Sequence, residues 1–342
     1  MRAGLTEGLS RVVRFAARHQ AVFWTLHSLW ALGWGVAFLL VGAARPHLVR
    51  WGLVSVGAVW LTSLALPAFL AAPFVRAGRR EAARRLVLWG QKWLLQGLAF
   101  FLLPLYHRSA TYPSRQVVFM ALLAAAALAA TIDVVYDEVV ARSRPLLGLF
   151  LAFVAFATAN VTLPMAFRVG GLWNLGASGV AATAVFVSFV AEREEGRALR
   201  SLGRAAAVGA VFLLLVTLGR PVVPPAPLRL VAVRFGTSLA PGGLDVARPL
   251  EALSPAAAAR LVAVAAVQAP AGLAEGVRHV WSVDGRVVFE SRSIGITGGR
   301  RRGFRSVTAV TLRGLAAGAR VRLEVLTAHG QLIGRAELPV RP

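Results

Sequence analysis

The segment Arg220-Pro-Val-Val-Pro-Pro-Ala-Pro-Leu-Arg-Leu230, RPVVPPAPLRL, separates two unlike halves of a 342-residue chain. Four prolines lie between Pro221 and Pro227. Each lacks a backbone N–H and holds φ near about −65°, so a helix cannot run through them, and residues 220–227 are expected to form an extended, semi-rigid spacer.

On the N-terminal side the sequence is dominated by long apolar runs. The chain is 57% hydrophobic and only 15% charged, a composition that excludes an ordinary soluble domain of this length. A helix needs about 20 mainly apolar residues to cross hydrocarbon, where no water is available to satisfy the backbone. Seven stretches qualify: about Ala21–Ala43, Trp51–Pro73, Leu86–Tyr106, Val117–Val134, Pro145–Phe167, Gly171–Ala191 and Arg204–Gly219. The first is too long for a cleaved signal, whose apolar core is about 7–15 residues. Eight of the nine tryptophans (Trp24, Trp30, Trp34, Trp51, Trp60, Trp89, Trp93 and Trp173) fall in or beside these runs, as aromatic rings at a bilayer interface do.

Arginine distribution orients the spans. The N-terminus and the second, fourth and sixth connections carry fifteen arginines against five in the others (Arg45, Arg50, Arg108, Arg115 and Arg168). Positive flanks stay inside, so the basic N-terminus, residues 1–20, is expected in the cytoplasm. An odd number of spans over 21–219 then carries everything after Gly219 out of it. The expected location is the bacterial cytoplasmic (inner) membrane, with a periplasmic or extracellular C-terminal domain.

On the C-terminal side the pattern becomes β-like over 228–342. Runs at Leu228–Thr237, Arg260–Gln268, Val277–Val283, Arg286–Ile294, Phe304–Leu312, Ala319–Ala328 and Gln331–Val340 alternate with turn residues. Val321, Leu323, Val325 and Thr327 alternate with Arg320, Arg322 and Glu324, which places one row in a core and the other in water. Asp284-Gly285 fits a two-residue hairpin turn with positive φ at both positions. The expected fold is therefore an α-helical transmembrane bundle of about seven spans followed by an all-β, immunoglobulin-like sandwich with Trp281 in its core.

Within that sandwich, Gly295–Ser306, GITGGRRRGFRS, forms a loop between two strands. It lacks the lysine and hydroxyl of a phosphate-binding P-loop, and no helix follows it. Arg300, Arg301, Arg302 and Arg305 suit an anionic lipid, an acidic envelope polymer or a carboxylate-bearing protein partner; the alternative is a solvated turn whose arginines pair within the domain. Arg301 and Arg302 stand at the tip, whereas Arg305 enters the next strand.

His279-Val280-Trp281, Asp284–Val288, Gly298-Gly299-Arg300, Gly303–Ser306 and Gly330–Gly334, in this order and spacing, resemble the bacterial module known as domain of unknown function 2914. The resemblance covers Arg260 to Val340. It implies a small β domain and a location at the membrane, with no activity, cofactor or site residue attached.

Ionisable groups inside spans are costly and mark candidate sites. His27, Lys92 and Asp133 lie at a similar expected depth, roughly two turns from the cytoplasmic ends of their spans, and Lys92 and Asp133 suit an ion pair. The alternative has Lys92 extending to the interface and Asp133 in a frayed helix end beside Asp137 and Glu138, and near-interfacial depth favours it. Asn160, with Thr158 and Thr162, forms a midplane polar group suited to a hydrogen bond between helices.

There is no cysteine and no HExxH, GxSxG or clustered histidine motif, so no cofactor is expected and an enzyme is disfavoured. The net charge of +23 is spread along the chain and is almost wholly arginine, so nucleic acid is not an expected partner. Two functional expectations remain. One is a non-enzymatic membrane protein that presents its β domain to an envelope component or protein partner. The other is a transporter or signal transducer regulated by that domain.

Overall fold

The computed structural model describes residues 20–72, 80–190, 203, 206–207, 209–210, 213–214, 217–255 and 260–341. The N-terminal half is helical: α1 (Gln20–Ala44), α2 (Arg50–Ala71), α3 (Arg80–Ser109), α4 (Gln116–Thr131), α5 (Arg144–Phe167) and α6 (Gly171–Val190). Four helical stretches among the described residues are long and apolar enough to span a membrane: Pro46–Leu66, Arg80–Ser109, Arg144–Phe167 and Gly171–Phe189. A fifth is obtained if Gln116–Thr131 and Asp133–Val140, which meet at 98°, form one broken span.

The expected seven spans are not supported; among the described residues the number is four or five. α1, 25 residues from Gln20 to Ala44, enters that count only through its stretch Leu29–Ala44, the part whose side chains are described. The expected seventh span, Arg204–Gly219, and the basic N-terminus fall largely or wholly outside the described residues.

α3 is the buried axis of the bundle, with Leu95, Ala99, Leu102 and Tyr106 fully enclosed. α5 starts where the sequence signals it. Ser143 precedes the helix and its hydroxyl accepts from Leu146 N (3.4 Å), with a proline in the first turn.

The C-terminal half has eight antiparallel strands: β1 (Arg229–Gly236), β2 (Leu261–Gln268), β3 (Ala274–Val283), β4 (Arg286–Glu290), β5 (Ile294–Thr297), β6 (Phe304–Val310), β7 (Arg320–Thr327) and β8 (Leu332–Pro339). One sheet has the order β1-β2-β6. The other has the order β4-β3-β7-β8, with β5 also pairing with β3. Both sheets feed one apolar cluster that includes Leu261, Val267, Trp281, Leu323 and Val325.

The expected single strand Arg286–Ile294 is two strands on one edge of β3. Ser291 interrupts it because its backbone N–H donates to His279 O (2.9 Å) while its hydroxyl accepts from His279 N (2.9 Å). The Asp284-Gly285 turn has φ of 47° and 83°, as the hairpin reading requires.

His279 and Trp281 share the inner face of β3. The His279 ring nitrogens bond the hydroxyls of Thr308 and Ser306, each at 2.8 Å, and Trp281 Nε1 donates to Thr308 Oγ1 (3.0 Å). These four side chains join the two sheets through the core.

Burial pushes the His279 pKa down from 6.5 to about 4, so the folded state holds the ring neutral. The unfolded chain therefore binds the extra proton between those values, and stability falls as pH drops from about 6.5 towards 4. The loss reaches on the order of 3 kcal/mol by pH 4. His279→Gln should flatten that part of the thermal-midpoint profile between pH 4 and 7; an unchanged slope would remove His279 as its source.

Candidate functional site

The expected spacer is not a spacer. Val223, Pro224, Pro225 and Ala226 are buried, and Val223 and Ala226 belong to the apolar core of the helical bundle. Apolar prolines wedge between the halves because this surface is removed from solvent on both sides. Two glutamines fasten the joint. Gln116, fully buried at the start of α4, donates to Leu332 O (2.7 Å) and accepts from Thr111 N (2.8 Å). Gln331 donates to Val223 O (3.1 Å).

The β domain therefore sits on one end of the bundle. That end carries Arg108, which lines a small cleft with Pro227 and Pro270, and Arg168, whose guanidinium lies against Gly272. These belong to the arginine-poor set of connections.

Of the ionisable groups expected inside the spans, Lys92 and Asp133 come together. Both are buried, and they form a direct ion pair between Lys92 Nζ and Asp133 Oδ1. Lys92 also stands 5.6 Å from the centre of the Tyr136 ring, a cation–π contact. The extended, interfacial alternative for Lys92 is thereby overturned, because the ammonium has a carboxylate and an aromatic face within reach.

Asp133 owes its position to a break in the chain. α4 ends at Thr131, Ile132 is extended (φ −85°, ψ 107°), and Asp133 opens the transverse segment Asp133–Val140, whose last turn is a π-helix. Such turns recur at functional sites.

The pair forms the inner wall of a cleft of about 890 Å³. Arg84, Arg85 and Arg142 line the same cleft, with Trp89 and Leu86 as its apolar sides. Asn160 belongs elsewhere. It donates to Tyr106 Oη (3.0 Å) and accepts from Asn174 Nδ2 (2.9 Å), while Tyr106 donates to Ala157 O (2.9 Å). Tyr106 is fourteen residues beyond Lys92 on α3, about 21 Å along the axis, so the four expected polar residues do not form one cluster. The side chain of His27 is outside the described residues.

Sequence reading ranked charged groups and passed over Asn174, Gln91 and Gln96. Gln91 donates to Thr62 Oγ1 (2.8 Å) and Gln96 to Ala31 O. An amide on an apolar helix was the available signal. No group of three or more potential metal ligands occurs among the described residues.

In the β domain the arginine turn is residues 298–303, crossing from β5 to β6. It packs on the β2–β3 turn: Gly298 N donates to Leu273 O (2.8 Å), Gly299 N to Ala269 O (3.1 Å) and Gln268 Nε2 to Arg301 O (3.5 Å). A methyl group on Gly298 would stand 1.8 Å from Pro270 O, so only glycine permits the approach. Arg300, Arg301 and Arg302 are exposed, with Arg300 stacked 4.7 Å over Phe304. Arg305 is committed internally, to Leu244 O (2.8 Å) and Asp245 (3.5 Å), and so leaves the candidate set.

A family model described as "Family of unknown function (DUF5924)" matches residues 4–261. This is a different family from the module that Arg260–Val340 resembles, and it reaches only the first residues of that region. No curated protein and no solved structure matches the chain.

Removing one partner of a buried ion pair typically costs roughly 3–5 kcal/mol, whereas replacing both with apolar groups is often neutral. Lys92→Met and Asp133→Leu should each lower the thermal midpoint of the purified protein sharply, and the double variant should recover most of it. A double variant no better than the worse single would show that the two groups are not stabilised by each other.

Proposed function

Since the chain belongs to the family of unknown function DUF5924, membership supplies no activity, and we propose a function from the chain's own geometry. It is a non-enzymatic, multi-pass protein of the bacterial cytoplasmic membrane. Its N-terminus is cytoplasmic, and its β domain is clamped to the extracytoplasmic end of the bundle, where it binds an anionic component of the envelope, the headgroups of acidic lipids. The arginine asymmetry supports this orientation, because the domain sits on the end whose connections are poor in arginine. The strand orders β1-β2-β6 and β4-β3-β7-β8 support an immunoglobulin-like sandwich.

One observation carries the ligand. The arginine turn packs on Ala269–Leu273, and this same turn meets the bundle end at Arg168. This proximity supports a position for Arg300, Arg301 and Arg302 near the bundle-side end of the domain. Guanidinium forks match phosphate oxygens in pairs. Each basic residue near an anionic surface contributes about 1 kcal/mol at low salt.

The second reading, a transporter or signal transducer governed by the β domain, is favoured by two features together. A buried ion pair sits at a helix break, and a proline segment wedged into both halves ties movement of one to the other.

In nanodiscs of zwitterionic lipid doped with increasing acidic lipid, the full-length parent should gain thermal stability. Arg300→Ala/Arg301→Ala/Arg302→Ala should lose most of that gain, equivalent to about 3 kcal/mol or on the order of a 100-fold weaker lipid dependence at low salt. An identical acidic-lipid response in parent and triple variant would refute the lipid assignment.

A further inference from the structure

The second basic surface lies at the opposite end of the bundle from the β domain, and it is built as a cleft. We propose that the cleft walled by the Lys92–Asp133 pair is a binding site for a phosphate-bearing lipid headgroup of the leaflet facing away from the β domain. The proposal does not depend on the function assigned to the arginine turn. Four cations (Arg84, Arg85, Arg142 and Lys92) face two carboxylates (Asp133 and Asp137) around the cavity. Lys92 is already paired with Asp133, so the net positive charge belongs to the arginines at the mouth. Arg84 and Arg85 share one carboxylate, Glu81, at 3.8 and 2.8 Å, and no acidic partner of Arg142 occurs among the described residues. The excess is therefore not cancelled within the cleft.

Depth and shape distinguish lipid from solute. Lys92 is seventeen residues from the domain-side end of α3 at Ser109, about 26 Å along the axis, close to the full thickness of a hydrocarbon core of about 30 Å. Arg84 and Arg85 lie two turns further out, at headgroup level. Between them and Lys92 are Leu86 and Trp89, exposed by 67% and 51%. A free phosphate has no use for such walls, whereas an acyl chain entering from the bilayer covers them. The break at Ile132 makes the room, because Asp133–Val140 turns aside by 98° where an unbroken helix would have filled the space.

The chain has no cysteine, so a fluorophore on Leu88→Cys, which lines the cleft, reports from that position alone. Full-length labelled protein in zwitterionic nanodiscs is titrated with a phosphomonoester lipid. The expected result is a saturable shift whose midpoint rises at least tenfold in Arg84→Gln/Arg85→Gln/Arg142→Gln and is unchanged in the Arg300→Ala/Arg301→Ala/Arg302→Ala variant. The cleft variant should melt like the parent, since exposed arginine pairs contribute little to stability. Equal midpoints in parent and cleft variant would overturn the proposal. So would the same shift on adding soluble glycerol phosphate without acidic lipid, which would identify a solute as the ligand.

Discussion

The helical half is governed by one constraint: a charge or an amide placed in hydrocarbon has no water to turn to, so it must find a partner inside the protein or be carried to an interface. Lys92 meets this by pairing with Asp133 and standing over Tyr136. Asn160 meets it through Tyr106 and Asn174, and Gln96 through the carbonyl of Ala31. These bonds cross from α3 to α1, from α3 to the segment after α4, and from α5 to α3 and α6. The polar residues of the bundle thus define which helices touch and at what height, a specificity that apolar contacts alone supply weakly when lipid tails are as greasy as leucine.

The same constraint explains how two unlike halves behave as one body. The first residue of β8 and the proline-rich stretch each offer a backbone carbonyl, Leu332 O and Val223 O, at a joint closed to solvent. Gln116 and Gln331 answer them, while Val223 and Ala226 fill the space between. A proline-rich stretch in water would be a tether. Here the prolines suit burial, since each carries apolar surface and no N–H that would need a partner.

Features decided by local chemistry were legible in the sequence. Asp284-Gly285 reads as a turn because few residue pairs accept positive φ twice. The alternation of β7 reads as half-buried because the period is two. Features decided by distant partners were not legible. The division of Arg286–Ile294 into β4 and β5 depends on one hydroxyl, that of Ser291, meeting the backbone of His279 across the sheet. The break at Ile132 carries no proline or glycine, so nothing local announces it, and the apolar run there read as continuous. Lys92 and Asp133 could be named as a candidate pair because both were costly alone, yet their near-interfacial depth favoured the separate reading that the ion pair overturns. Asn174 could not be named, because its need for Asn160 becomes visible only when α5 and α6 lie side by side. Burial of the linker depended on a surface that exists only after both halves have folded.

Charge supplies the last step. The chain carries 38 basic residues against 15 acidic ones, so one-to-one pairing leaves an excess wherever the acids are absent, and abundance of arginine says nothing about binding. What distinguishes a surface is whether its arginines have been claimed. Arg305 is held by Asp245 and Leu244, Arg322 by Glu337, and Arg278 by Glu290; these belong to the sheet. Arg300, Arg301 and Arg302 have no such carboxylate among the described residues, and neither has Arg142. The two sets stand at opposite ends of the helical bundle, one on a turn where a glycine lets the backbone approach its neighbour, the other around a cleft beside a broken helix, where Arg84 and Arg85 share the single carboxylate of Glu81. Each follows from a backbone feature first and from charge second, and this is why the arginines of these two places are the ones proposed to meet an anion from the bilayer.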